Sequence, residues 1–88
     1  MMGIWLIIED EKCKKVVLCQ HIRALEQKKD GAINTLLYYC EVGEDNFTFV
    51  CSSYDHDVDR IFDAVEAAIK SGRNYVKIKL EEYRRHDR

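Results

Sequence analysis

Short runs of hydrophobic residues, many of them alternating with polar ones, fill the first half of the chain. This two-residue period is typical of β-strands. "GIWLIIE" at residues 3–9 predicts a first strand, and "KVVLC" at residues 15–19 predicts a second strand after a charged turn. "AINTLLYYCEV" at 32–42 and "FTFVCS" at 47–52 predict two more strands, joined by the turn "GEDN". We expect these strands to form an antiparallel meander.

The segment between the second and third of these runs is ambiguous. Leu18, Ile22 and Leu25 would share one face of a helix, but the segment is short and has no capping residue. We favour a turn followed by a strand, and whether residues 20–28 are strand or helix is left open. The pair "DG" at 30–31 is a typical hairpin turn.

The second half of the chain contains one segment with a clear helical period. Its hydrophobic residues recur at i, i+3, i+4, i+7 and i+11, which places them on one face of a helix. These residues are Val58, Ile61, Phe62, Val65 and Ile69. Lys70 and Gly72 suit the C-terminal end of such a helix. The pattern therefore predicts a helix at about 55–71, and "YVKIKLE" predicts a last strand at about 75–81.

These elements predict an α+β fold. We expect an antiparallel β-meander of about five strands, with one amphipathic helix packed on one sheet face and one C-terminal strand. At 88 residues the chain is long enough for one domain with a modest core. Residues 1–81 are expected to form that domain, and residues 82–88, "EYRRHDR", a flexible basic tail.

A single helix covers only one face of a sheet, yet the strands carry apolar residues on both faces. One apolar face is expected to form the core under the helix. Its members are Leu36, Tyr38, Cys40, Val42, Phe47, Phe49 and Cys51. The second face is expected to carry Trp5, Ile7, Leu37, Tyr39 and Val50. Because exposed apolar patches usually mark interaction sites, we favour a homodimer that covers this face. Closure of the sheet into a barrel and a different protein partner remain open.

The charges are unevenly distributed along the chain, although the net charge is only −2. Residues 41–69 contain eight acidic side chains and one basic one, whereas residues 70–88 contain seven basic and three acidic ones. The C-terminal cations could contact nucleic acid, with two tyrosines among them for stacking. The residues expected to do so are Lys77, Lys79, Arg84, Arg85 and Arg88. This function is an alternative and is not favoured, because the whole chain is acidic and has no nucleic-acid-binding signature.

Four cysteines without a secretion signal predict reduced thiols and a cytoplasmic protein. The longest apolar run is too short to cross a membrane, so no membrane association is expected. Cys13 lies among Lys12, Lys14 and Lys15, and such cations favour a reactive thiolate. A thiol- or metal-dependent enzyme centred on Cys13 is therefore a third, less favoured hypothesis. The cysteine spacings do not fit a zinc site, and no cofactor is expected.

Acidic residues in the helical segment match the ligand spacing of a calcium-binding loop. They are Asp55, Asp57, Asp59, Asp63 and Glu66. The loop position that requires glycine holds Arg60, and the helical period continues through the same residues. We therefore interpret the acidic series as the start of a helix, where negative charge is favourable, and expect no metal site.

The order of a charged turn, two or three strands and an amphipathic helix after "SSYD" resembles two small bacterial modules. One is the FlbD-type flagellar regulator, and the other is the KTSC domain, which "IKSGRNYVKIKLEEYRR" resembles. The resemblance covers about residues 15–85 at the level of pattern, without a diagnostic motif, and transfers no site residue. It implies a small binding or regulatory module. We therefore expect a non-enzymatic, homodimeric interaction domain.

Overall fold

The computed structural model describes residues 3–85 of the 88-residue chain. These residues form five strands, one α-helix and one short 3₁₀ helix. The elements are β1 (Ile4–Glu9), β2 (Lys14–Lys29), β3 (Ala32–Glu41), β4 (Thr48–Ser52), α1 (Val58–Lys70), β5 (Tyr75–Lys79) and the 3₁₀ helix (Leu80–Tyr83). The strands form a single sheet with α1 packed against one face, so the predicted α+β fold is confirmed.

The strand order in the sheet is β4-β3-β2-β1-β5. The first four strands form an antiparallel meander, in which each strand pairs with the next. This is one strand fewer than the expected meander, because Lys14–Lys29 is a single strand without the predicted turn. α1 then carries the chain across the sheet from the β4 edge to the β1 edge, where β5 pairs parallel to β1. The sheet therefore ends at β4 and β5, and within residues 3–85 it does not close into a barrel.

β2 runs through the segment that the sequence left ambiguous, and residues 20–28 are strand rather than helix. The register shifts between Cys19 and His21, so Gln20 is an extra residue in a β-bulge. Before the bulge Cys19 points under α1, and after it Ile22 packs against the same core. The bulge thus moves the inward-facing positions from odd to even numbers, which explains why neither a regular strand nor a helix pattern fits this segment.

α1 begins three residues later than predicted. Asp57 is its N-cap, and the Oδ1 atom of Asp57 accepts a hydrogen bond from the backbone N–H of Arg60 at 3.3 Å. The buried side chains of Val58, Ile61 and Val65 contribute roughly 1.5–3 kcal/mol each through removal from water. No helix within residues 3–85 is long and apolar enough to cross a membrane.

Gly31 and Gly3 show two different reasons why this backbone needs glycine. Asp30 and Gly31 both have positive φ, 53° and 80°, which fits the tight hairpin turn predicted between β2 and β3. At Gly3, an added Cβ atom would lie 2.5 Å from the carbonyl oxygen of Cys19 and 2.9 Å from Cγ2 of Val42. The start of β1 can therefore approach β2 this closely only because residue 3 has no side chain.

The last strand and the tail differ from the prediction. β5 ends at Lys79, and the chain then turns into the 3₁₀ helix, so the strand does not reach residue 81. Tyr83 packs against the core, and its carbonyl accepts a 2.7 Å hydrogen bond from the N–H of Asp57. Arg85 donates its backbone N–H to the carbonyl of Asp55 at 2.9 Å. The domain therefore extends to at least Arg85, and residues 86–88 of the expected tail lie outside the described residues.

Candidate interaction surface

The sheet has one face under α1, here called the helix side, and an opposite face, here called the open face. Side chains alternate between the two faces along each strand, so the register assigns each residue to one of them. The apolar residues of the open face are Trp5, Ile7, Val16, Leu18, Leu25, Leu36, Tyr38, Phe49 and Tyr75. Five of them, Trp5, Val16, Leu25, Phe49 and Tyr75, expose 44–55% of their surface.

These residues lie in two clusters along the length of β2. In the first cluster, Trp5 on β1 lies between Leu18 on β2 and Tyr75 on β5. In the second, Tyr38 on β3 contacts Phe49 on β4 edge to face, with ring centroids 5.7 Å apart. β2 contributes Leu18 to the first cluster and Leu25 to the second, and His21 and Arg23 lie between them on the same face.

One cation, Arg23, lies next to the second cluster on the same face. Arg23 is opposite Tyr38 on β2, and its guanidinium carbon lies 4.5 Å from the centroid of the Phe47 ring. This is a cation–π contact, in which the face of the aromatic ring attracts the cation in place of a carboxylate. The open face therefore combines aromatic rings with arginine, the residue types enriched in protein interfaces.

An ion-pair group borders the first cluster. The carboxylate of Glu9 lies 3.4 Å from Nζ of Lys77 and 3.5 Å from Nζ of Lys14, which are on the two strands beside β1. Desolvation raises the pKa of Glu9, but the hydrogen bonds and positive charges of Lys77 and Lys14 outweigh it and leave this pKa below its ordinary value. Glu9 is therefore ionised at neutral pH and balances part of the local positive charge.

Three of the five residues expected on the second face do not lie there. Trp5 and Ile7 are on the open face as predicted, but Leu37 is 0% exposed and Tyr39 is 2% exposed, both beneath the helix side. Val50 is the extra residue of a second β-bulge, in β4, and packs partly against the same core. The predicted placement of Leu37, Tyr39 and Val50 was therefore wrong.

The error has a physical cause in β3 and β4. Both faces of β3 are apolar. The alternation shows that Leu36 and Tyr38 share one face, but it does not show whether α1 covers that face or the opposite one. Leu36, Tyr38 and Phe49 were expected in the core and instead lie on the open face. The bulge at Val50 separates Phe49 from Cys51, which was correctly expected in the core and is 4% exposed.

Three of the five basic residues considered for nucleic acid already have partners within the protein. Lys77 pairs with Glu9, and Nε of Arg84 lies 3.3 Å from the carboxylate of Glu81. Nη1 of Arg85 donates a hydrogen bond to a backbone carbonyl at 3.1 Å. Lys79 is exposed at the end of β5, and Arg88 lies outside the described residues. These pairings reduce the positive charge that a phosphate backbone would meet.

Cys13 is the exposed member of the four free cysteines. It lies in the turn between β1 and β2, where Oδ1 of Asp10 accepts 2.9 Å hydrogen bonds from the N–H groups of Lys12 and Cys13. The other three cysteines are buried, and burial raises the pKa of Cys19. Desolvation, with a contribution from the negative charge of Asp55, raises the pKa of Cys51 to about 12. Cys13 is therefore the thiol that reagents can reach.

The acidic residues at the start of α1 make contacts within the helix and within the turn before it. Asp57 caps α1, and the carboxylate of Asp55 lies 2.8 Å from Nδ1 of His56. Within residues 3–85, no group of three or more histidine, cysteine, aspartate or glutamate side chains has an arrangement that could hold a metal ion.

Two of the cavities in the described part of the chain lie beside residues considered above. The larger, about 410 Å³, lies beside the tip of the β2–β3 hairpin and is lined mainly by exposed polar side chains such as Lys29 and Asp30. The smaller, about 210 Å³, lies beside Cys13 and is lined by the buried Tyr39. The sequence gives no signal for either cavity, because each depends on elements that are distant along the chain.

Comparison of the chain with protein-family models, with curated proteins and with solved structures gives no match. The resemblance to the FlbD-type regulator and the KTSC domain therefore stays a prediction. The open face is the feature from which a function can be argued.

Proposed function

We propose that this protein is a small, non-enzymatic interaction domain that forms a homodimer through its open face. The observation that supports the proposal is the set of nine apolar side chains on one sheet face, opposite the face that α1 covers. An antiparallel sheet with one solvated face normally carries polar residues there. An apolar second face gains free energy when another surface removes it from water.

The size of the face is compatible with a weak to moderate dimer. β1 and β5 pair along residues 14–19 of β2, and β3 and β4 lie beside residues 19–29, so the face has two halves of three strands each. With strands about 4.8 Å apart and five to six residues of about 3.3 Å, each half measures roughly 14 by 18 Å. Two such faces together present about 1,000 Å² of flat area, and side-chain relief adds to the accessible surface. The total is near the ~1,000 Å² that a specific interface needs.

A second copy of the chain is the partner that needs no further assumption. Two sheets that pack face to face form a sandwich with an apolar layer about 10 Å thick, in which each face supplies half of the core. The Glu9 group at the border can remain solvated in such a sandwich, because Glu9 lies at the end of β1. The dimer therefore buries the aromatic clusters while the Glu9 group stays in water, and Arg23 keeps its contact with the Phe47 ring.

The proposal is tested by sedimentation velocity and light scattering between about 1 and about 100 μM, the range in which interfaces of modest quality dissociate. We expect a concentration-dependent shift from the 10.4 kDa monomer towards twice that mass. Trp5→Glu and Leu36→Glu, one substitution in each cluster, should abolish the shift while the circular dichroism spectrum stays unchanged.

Ile33→Glu is the matched control. Ile33 exposes 62% of its surface at the hairpin tip and lies outside the open face, so the same chemical change should leave the dimer intact. A wild-type protein that remains monomeric at about 100 μM would refute the homodimer. Equal effects of Ile33→Glu and Trp5→Glu would show that the open face is not the interface.

A further inference from the structure

The smaller cavity lies mainly on the helix side of the sheet, and its lining includes Phe49 of the open face. Five residues with apolar side chains line it: Ile8, Tyr39, Phe49, Val50 and Leu80. They come from β1, β3, β4 and the 3₁₀ helix, and all except Phe49 belong to the core cluster or pack against it. The walls of the cavity are therefore fixed by the fold and not by the conformation of one loop.

One ammonium group is held at this cavity. Nζ of Lys15 lies 3.4 Å from the hydroxyl of Tyr39 and 5.9 Å from the centroid of its ring. Tyr39 is 2% exposed, so the phenol that positions the lysine is itself fixed in the core. The ammonium of Lys15 therefore gives the cavity a part that favours negative charge, beside the part that apolar side chains line.

The remaining polar groups of the cavity come from the turn between β1 and β2. Asp10 is the acidic residue among them, and its Oδ1 atom already accepts the N–H groups of Lys12 and Cys13. These two backbone donors offset part of the charge of Asp10. Lys15 is thus the group at the cavity best placed to receive an anion from solution.

We propose that this cavity binds a small molecule in which an apolar body carries a carboxylate. The ammonium of Lys15 pairs with the carboxylate, and the side chains of Ile8, Val50 and Leu80 contact the body. The volume of about 210 Å³ equals that of about seven water molecules in the liquid, which is enough for a ligand of about eight non-hydrogen atoms. The lining combines apolar side chains with polar groups, and it is the polar groups that orient a ligand in such sites.

Hexanoate is a suitable probe, because it has eight non-hydrogen atoms and one carboxylate. It is titrated into ¹⁵N-labelled protein beside hexan-1-ol and hexylammonium, which keep the chain and remove or invert the charge. We expect saturable amide shifts at Ile8, Tyr39, Val50 and Leu80 with hexanoate, and weaker binding of the other two probes. Occupancy should also slow the alkylation of Cys13, the exposed thiol beside the cavity.

Lys15→Gln tests the charge contact directly. Loss of one charge-assisted hydrogen bond should weaken hexanoate binding about tenfold and leave hexan-1-ol binding unchanged. Lys12→Gln, in the same turn but not lining the cavity, is the matched control and should change neither.

Three results would overturn the proposal. The first is the absence of saturable shifts at about 50 mM, since even inefficient ligands of this size bind below that concentration. The second is shifts that centre on open-face residues such as Trp5 and Leu36, which would indicate general hydrophobic binding. The third is equal affinity for hexanoate and hexylammonium, which would contradict the role of Lys15.

Discussion

Leu36 and Leu37 are adjacent in β3 but point to opposite faces of the sheet, and this difference predicts a large difference in stability between two alanine variants. Leu37 is 0% exposed and packs in the core under α1, whereas Leu36 is half-buried on the open face. Leu37→Ala removes three buried carbons and leaves a cavity, which costs 2–5 kcal/mol in well-packed cores. We expect a loss of about 3 kcal/mol.

The loss for Leu36→Ala should be about 1 kcal/mol or less in the monomer, because its side chain keeps contact with water. A domain of this size has a free energy of unfolding of about 4–13 kcal/mol, so Leu37→Ala removes a large part of it. With a urea m-value of about 1–1.5 kcal/mol per molar, the Leu37→Ala midpoint should fall by about 2–3 M.

Urea unfolding followed by circular dichroism measures both variants. It is carried out at about 1 μM protein, so that dimerisation does not add to the stability of the wild type. Equal losses for the two variants, or a larger loss for Leu36→Ala, would contradict the assigned faces of β3. At higher protein concentration the Leu36→Ala variant should show an additional loss, because it weakens the proposed dimer.

Three further predictions concern other parts of the molecule. Gly3→Ala should lower stability by roughly 1–3 kcal/mol, because the new Cβ atom would lie 2.5 Å from the carbonyl oxygen of Cys19; an unchanged melting temperature would contradict this close approach. A chain that ends at Glu82 should unfold at a lower temperature than one that ends at Arg85, since only the longer chain keeps the contacts of residues 83–85 with the start of α1; equal melting temperatures would show that these contacts add nothing. Because the pKa of Glu9 is lowered in the folded protein, its ion pairs stabilise the fold above the ordinary value of 4.5 and are lost as the pH falls through the folded pKa; Glu9→Gln should remove this part of the pH dependence of unfolding, and identical pH profiles would refute it.

The elements that depend on local sequence were predicted well. The period of 3.6 residues located α1, with its end correct to within one residue at Lys70. The "DG" pair at 30–31 located the β2–β3 turn, because a tight hairpin turn of this kind needs residues that tolerate positive φ. Both signals act over a few residues, so no knowledge of the rest of the chain was necessary.

The candidate interaction surface was predicted only in part, because its residues are defined by strand register. The sequence predicted an apolar face outside the core, because the strands carry apolar residues on both sides and one helix can cover only one side. Trp5 and Ile7 were assigned to that face correctly, since β1 has a regular alternation. In β2 and β4, extra residues at Gln20 and Val50 interrupt the alternation, and a bulge of one residue reverses the side of every residue after it.

The sequence by itself determined the α+β class, the helix, the hairpin turn and the presence of more apolar strand surface than one helix can cover. The tertiary structure decided which face α1 covers, the parallel pairing of β5 with β1, and the cavity beside Lys15. The physical reason is that helix periods and turn residues are fixed by local backbone geometry. The side to which Leu36 or Leu37 points depends instead on hydrogen-bonded pairing and bulges across strands that are distant in the chain.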